Sequence, residues 1–188
     1  MAVLVEGGLL LVAMALAWLF NVNVKQQLPA DRAALGWALG RGLVATLPML
    51  ALFFWLYHSS LPALRRLRDQ VEWLVGELFP VGSRAQFALV AVLAGVGEEL
   101  LFRGVLQSLL VGWTTPFVGL VLGSLLFGLA HALSRMYFLL ATLIGFYLGA
   151  LVMQTDDLVA PMVAHALYDF LAMVYLSRNR AHHTSEDR

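Results

Sequence analysis

The chain has 188 residues, of which 61% are hydrophobic and 13% charged, with formal net charge zero. A soluble domain is typically about half apolar and about a quarter charged, so this composition points to lipid as the solvent for most of the chain. Zero net charge gives no reason to expect a nucleic-acid partner. The absence of cysteine excludes disulfides, thiolate metal sites, a thiol nucleophile and lipidation of the protein's own cysteine.

Spans across a hydrocarbon core of roughly 30 Å need runs of about 17–25 apolar residues. Six such runs are present, near residues 3–21, 40–57, 86–111, 116–133, 136–153 and 158–176. The first has two readings, a secretory signal or a retained helix. No Lys or Arg lies in Met1 to Leu4, Glu6 is acidic, and the run is long for a signal core, so a retained helix is expected. Between the second and third runs, Leu61, Leu64, Leu67, Val71, Leu74 and Leu78 recur at steps of three and four. Arg65, Arg66, Arg68, Asp69, Glu72 and Glu77 take other positions. This predicts an amphipathic helix lying in the membrane interface, ended by Pro80, Gly82 and Ser83. The fold class expected is all-α, a polytopic membrane bundle of about six spans plus one interfacial helix. Its parts are N-terminal helices and loop (1–60), a catalytic membrane domain (61–176) and a loose polar tail (177–188).

Basic residues set the expected orientation. With the N-terminus inside, the inner segments hold eight arginines: Arg65, Arg66, Arg68, Arg84, Arg135, Arg178, Arg180 and Arg188. The outer ones hold Lys25, Arg32 and Arg41, with Asp156 and Asp157 in an outer loop. Both termini are therefore expected in the cytoplasm.

The polar residues inside the spans carry the functional argument. The third run reads Gly97-Glu98-Glu99-Leu100-Leu101-Phe102-Arg103-Gly104. A charge at mid-membrane costs about 2.5–3.5 kcal/mol on insertion scales, so such groups are paired or functional. Glu99 and Arg103 are four apart with Glu first, the favourable order on a helix, and read as a structural pair. Glu98 lies about 100° around the helix from Glu99 and is free for chemistry, a second salt bridge or proton relay. The fourth run carries Phe127 and His131, and the sixth His165 and Asp169, each pair four apart. Taken singly, His131 could be a helix–helix hydrogen-bonding group, and His165 with Asp169 a packing pair or metal half-site. At about 1.5 Å per residue, Glu98, His131, His165 and Asp169 lie roughly 20, 22, 10 and 16 Å below the outer ends of their spans. With helix tilt they reach one site.

Together the segments Glu98-Glu99-x-x-x-Arg103, Phe127-x-x-x-His131 and His165-x-x-x-Asp169 resemble the CPBP family of intramembrane proteases, the CAAX-protease and bacteriocin-processing family. The resemblance covers roughly Leu61 to Leu176. It implies an endopeptidase in which Glu98 is the general base that activates water and His131 its partner in holding that water. His165 and Asp169 are implied as the oxyanion stabiliser, Glu99 and Arg103 as structural, and Phe127 as motif support. Where the family has Asn at the last position, it supplies a neutral donor. Asp169 when ionised only accepts, so it either orients His165 or donates as the protonated acid.

No cofactor is preferred. A zinc site built from Glu98, His131 and His165 with a fourth-position water is the alternative, although the helical His-Glu-x-x-His pattern is absent. The expected partners are the lipid bilayer and a membrane-anchored protein or peptide, cleaved as in CAAX-type or C-terminal sorting-tail processing. The expected location is a bacterial cytoplasmic membrane. Two other functions remain: a non-catalytic immunity or assembly factor of the same fold, and a proton-relay transporter using Glu98 and His131. A rhomboid-like serine protease is disfavoured, since no Gly-x-Ser-Gly surrounds Ser124.

Overall fold

The computed structural model describes residues 2–79 and 82–186, with side chains described through Asn179. Pro80, Arg188 and the side chain of Arg180 lie outside the described residues. Within them the chain is helical, without a strand. The elements are α1 (Ala2–Leu19), a short 3-10 turn (Val24–Gln27), α2 (Arg32–Tyr57), α3 (Pro62–Leu78) and α4 (Arg84–Glu99). A π-helical segment (Leu100–Gln107) follows, then α5 (Ser108–Trp113), α6 (Pro116–Ala130), α7 (Arg135–Thr155) and α8 (Val159–Glu186).

Local sequence explains where these helices start. Asp31 accepts from the Ala34 amide at 2.8 Å and opens α2. Ser83 and Gln86 form a reciprocal capping box at α4. Thr115 caps α6 just before Pro116, and Ser134 caps α7. Asp157 caps α8 by accepting from the Ala160 amide at 2.8 Å.

Among the described residues, α1, α2, α7 and α8 (to Asn179) are long and apolar enough to cross a membrane. The other two expected spans take different forms. The third is a composite of α4, the π segment and α5, about 40 Å long at helical rises. The fourth, α6, has 15 residues and stops at Ala130, so His131 sits just past the helix end. Arg41, read above as an outer-loop residue, lies within α2, 3.7 Å from Asp157; the cap at Asp31 starts the helix earlier than apolarity alone suggests. The tail is helical to Glu186 rather than loose, since no Pro or Gly interrupts 177–186. The amphipathic helix matches α3, which buries Leu64, Leu67 and Val75. Tyr57 ties it down, donating to Glu72 at 2.8 Å and accepting from Arg68 at 3.1 Å.

The periphery is apolar. Leu4, Leu11, Trp18, Val44, Leu47 and Leu143 are all exposed. An exterior of this kind suits lipid, which imposes no penalty on apolar surface. The polar groups instead face inward, around α4 and α8. These two helices meet where Gly95 has no side chain. A Cβ there would lie 2.7 Å from the Ala166 Cβ and 2.8 Å from the Met162 carbonyl. This close approach brings His165, one residue earlier on α8, to Glu99. Gly95→Ala is expected to lower stability by about 1–3 kcal/mol through overpacking against backbone. Gly7→Ala, in open space, should leave it unchanged. Thermal unfolding of the two variants in detergent checks this.

Candidate active site

The adjacent carboxylates of α4 point to different surroundings, as their angular offset requires. Glu99 is fully buried. Its Oε1 accepts from Arg103 Nη1 at 2.8 Å and from His165 Nδ1 at 2.7 Å. Arg103 also donates through Nη2 to the Gly145 carbonyl at 3.1 Å, and Gln107 donates to the Gly149 carbonyl at 3.2 Å. One buried network thus joins α4, the π segment, α7 and α8. The π geometry occurs where these long polar side chains turn toward α7, and such segments frequently mark functional sites.

Glu98 faces a cavity of about 270 Å³. Its Oε2 lies 3.4 Å from His131 Nε2 and accepts no hydrogen bond from the described residues. The ring of His131 is fixed at its other nitrogen: Nδ1 lies 2.9 Å from the Phe127 carbonyl, one of the last carbonyls of α6. A carbonyl only accepts, so Nδ1 carries a proton and Nε2 is the nitrogen turned to Glu98. A separation of 3.4 Å is long for a direct hydrogen bond. It suits two groups that share one water.

Phe127 is the packing centre. The Arg103 guanidinium lies 4.3 Å from its ring centroid, and the rings of His131 and His165 lie 4.4 and 5.9 Å from it. The aromatic ring therefore spaces the two histidines and the arginine around one apolar surface.

His165 is buried between two carboxylates. Nδ1 meets Glu99, and Nε2 lies 3.4 Å from Asp169 Oδ2. Asp169 is partly exposed and lines the same cavity as Glu98 and His131. The sequence-derived set is thus brought together in two layers. Glu98, His131 and Asp169 meet the cavity, while His165 joins Asp169 to the Glu99–Arg103 pair behind them. The alternative zinc set of Glu98, His131 and His165 is divided between these two layers. Both ring nitrogens of His165 face other carboxylates, and among the described residues no three His, Asp or Glu side chains are grouped to hold a metal ion.

Three features escaped sequence reasoning. Glu6 lines the cavity from α1. In the sequence it argues only against a signal peptide, yet it is the one charged residue in Ala2–Leu19. Gln107 extends the Glu99–Arg103 spacing by four residues, and Gly145 and Gly149 repeat that interval on α7. Small residues four apart are a known mark of close helix contact in membranes.

A lipid-facing helical bundle that gathers carboxylates and imidazoles around an internal cavity defines the class of polytopic membrane proteins with a buried polar site. Residues 80–171 match the family model described as type II CAAX prenyl endopeptidase Rce1-like. Through this segment the chain is similar to that family of CAAX-type intramembrane proteases, in agreement with the CPBP resemblance. It is also 32% identical over 115 residues to the uncharacterized protein YpbD of Bacillus subtilis (strain 168). The matched stretch covers 60% of this chain and 55% of that relative, so the chain spans about half of its length. No solved structure matches.

The double contact of Arg103 generates a prediction. Lysine is a point charge without the planar fork, so Arg103→Lys leaves either Glu99 or the Gly145 carbonyl without a donor. The expected cost is about 1–3 kcal/mol, the usual penalty for a buried unsatisfied group. Arg103→Met, which strands a buried carboxylate, should cost about 3–5 kcal/mol. Thermal unfolding in one detergent reads both.

Proposed function

We propose that this protein is an intramembrane endopeptidase that hydrolyses a peptide bond of a membrane-associated substrate, with Glu98 activating water. The observation that carries this reading is the Glu98–His131 pair at the wall of an internal cavity. Glu98 Oε2 is buried and unpartnered, 3.4 Å from a histidine nitrogen whose tautomer is set by the Phe127 carbonyl. A water held between them loses a proton to Glu98 as its oxygen attacks the scissile carbonyl.

The developing oxyanion then faces Asp169. In this reading Glu99 supports His165 as an imidazolium, whose Nε2–H donates to Asp169 Oδ2. Asp169, as the neutral acid, turns its own O–H to the oxyanion. This arrangement reproduces the neutral donor that asparagine supplies in the family pattern. Arg103 keeps Glu99 ionised and takes no part at the reacting atoms.

The cavity suggests the kind of substrate. Away from Glu98 its walls are apolar: Leu64, Leu67, Val71 and Leu74 from α3, and Ala172, Met173 and Leu176 from α8. An extended segment with an apolar flank or anchor fits such walls, in keeping with CAAX-type or sorting-tail processing. The arginine distribution supports a reading with both termini in the cytoplasm, and the membrane in this proposal is a bacterial cytoplasmic one.

The test is cleavage of a reporter library by purified protein in liposomes. Glu98→Gln and His131→Ala are expected to lose cleavage by at least about 100-fold, the usual scale of general-base catalysis. His165→Ala should lose it too. Variants that cleave as fast as wild type refute the assignment. Complete, zinc-reversible loss with a chelator refutes the glutamate mechanism. Proton flux without cleavage favours a relay.

A further inference from the structure

Glu6 stands outside the matched segment 80–171 and takes no part in the mechanism above. Its place is set by packing. A Cβ on Gly97 would lie 3.1 Å from the Glu6 carbonyl and 3.3 Å from the Leu10 amide. The bare glycine thus lets the α1 backbone lie directly against the residue before Glu98, at the same depth in the bundle. From there Glu6 lines the cavity that holds Glu98, His131, Asp169 and Tyr137. Its Oε2 is buried and has no hydrogen-bond partner among the described residues. An acid that merely marked the membrane surface would send its carboxylate outward to water. This one is turned inward.

We propose that Glu6 is a further catalytic residue: the acid that gives its proton to the amine nitrogen leaving the scissile bond. The inference rests on the peptidase reading of the preceding subsection. Three carboxyl groups face one apolar cavity, and like charges so placed cannot all be ionised. Asp169 carries its own proton in the mechanism above, and Glu98 has His131 beside it. Glu6 has no imidazole or guanidinium within ion-pair distance among the described residues, and is the second group that carries a proton. Splitting two carboxyl groups between base and acid is a general solution for hydrolysis at a single bond.

The proton count closes. Water gives one proton to Glu98 while its oxygen bonds to the carbonyl carbon. As the tetrahedral intermediate collapses, the C–N bond breaks and its electron pair goes to nitrogen. Nitrogen takes the Glu6 proton, leaving an amine and a new carboxyl group. Glu98 then returns its proton to Glu6 through water in the cavity, and both groups are reset.

The experiment compares two reporters of the same peptide sequence, one with a scissile amide and one with a nitrophenyl ester, cleaved by the full chain in liposomes. A nitrophenolate leaves without a proton, so the ester does not need an acid. Glu6→Gln is expected to lower kcat on the amide by about 100-fold with KM little changed, and kcat on the ester by less than about threefold. Glu98→Gln should lose both. Glu6→Asp, which keeps an acid proton on a shorter arm, should recover part of the amide rate; no recovery overturns the proposal, and this variant also serves if Glu6→Gln does not fold. A Glu6→Gln protein that cleaves the amide like wild type, while Glu98→Gln is dead, overturns this role alone. Equal losses on amide and ester would show a structural role and overturn it too. A wild-type protein that cleaves neither reporter overturns this role together with the peptidase reading.

Discussion

A single carboxylate oxygen holds the interior of this protein together. Glu99 Oε1 accepts from Arg103 and His165 in a region without exposure to solvent. Burying a carboxylate and a guanidinium is costly, and pairing repays it only when the remaining polar atoms are also satisfied. Here the second Arg103 donor finds the Gly145 carbonyl and Phe127 covers the guanidinium face, but Glu99 Oε2 is buried without a hydrogen-bond partner among the described residues. The pair therefore acts less as a source of stability than as a constraint. Helices α4, α7 and α8 must meet at one depth and one rotation, or a charge is left stranded in an apolar medium.

That constraint creates the separate environment of Glu98. Because Glu99 is committed to the interior, its neighbour is turned about 100° away, into the cavity. Consecutive, chemically identical side chains thus receive different neighbours: a guanidinium and an imidazole for one, an imidazole and open space for the other. The short α6 completes the contrast by ending at Ala130. Its terminal carbonyls are then available to fix the His131 ring, which a longer helix would have used in its own ladder. The shortness of this helix positions His131 beside the cavity.

Much of this was legible in sequence. Glu98, Glu99, Arg103, Phe127, His131, His165 and Asp169 stood out because charged and imidazole groups are conspicuous in apolar runs. The Glu99–Arg103 pair followed from helical spacing alone. What stayed hidden depended on contacts between segments distant in the chain. Spacing could not show that His165 would meet Glu99, 66 positions earlier, rather than join Glu98 around one atom. Nor could it show the π segment, since a run such as Leu100–Gln107 is equally compatible with regular helix. Glu6 was visible as a lone charge, but only the contact with Gly97 gives it a place.

The division between the adjacent glutamates can be measured directly by unfolding Glu98→Gln and Glu99→Gln side by side in the same detergent. The account predicts that Glu99→Gln loses about 3–5 kcal/mol, because a buried guanidinium and imidazole lose their shared counter-ion. Glu98→Gln, facing a cavity, should unfold within about 1 kcal/mol of wild type. Equal stability of the two variants, or a larger loss in Glu98→Gln, would contradict it.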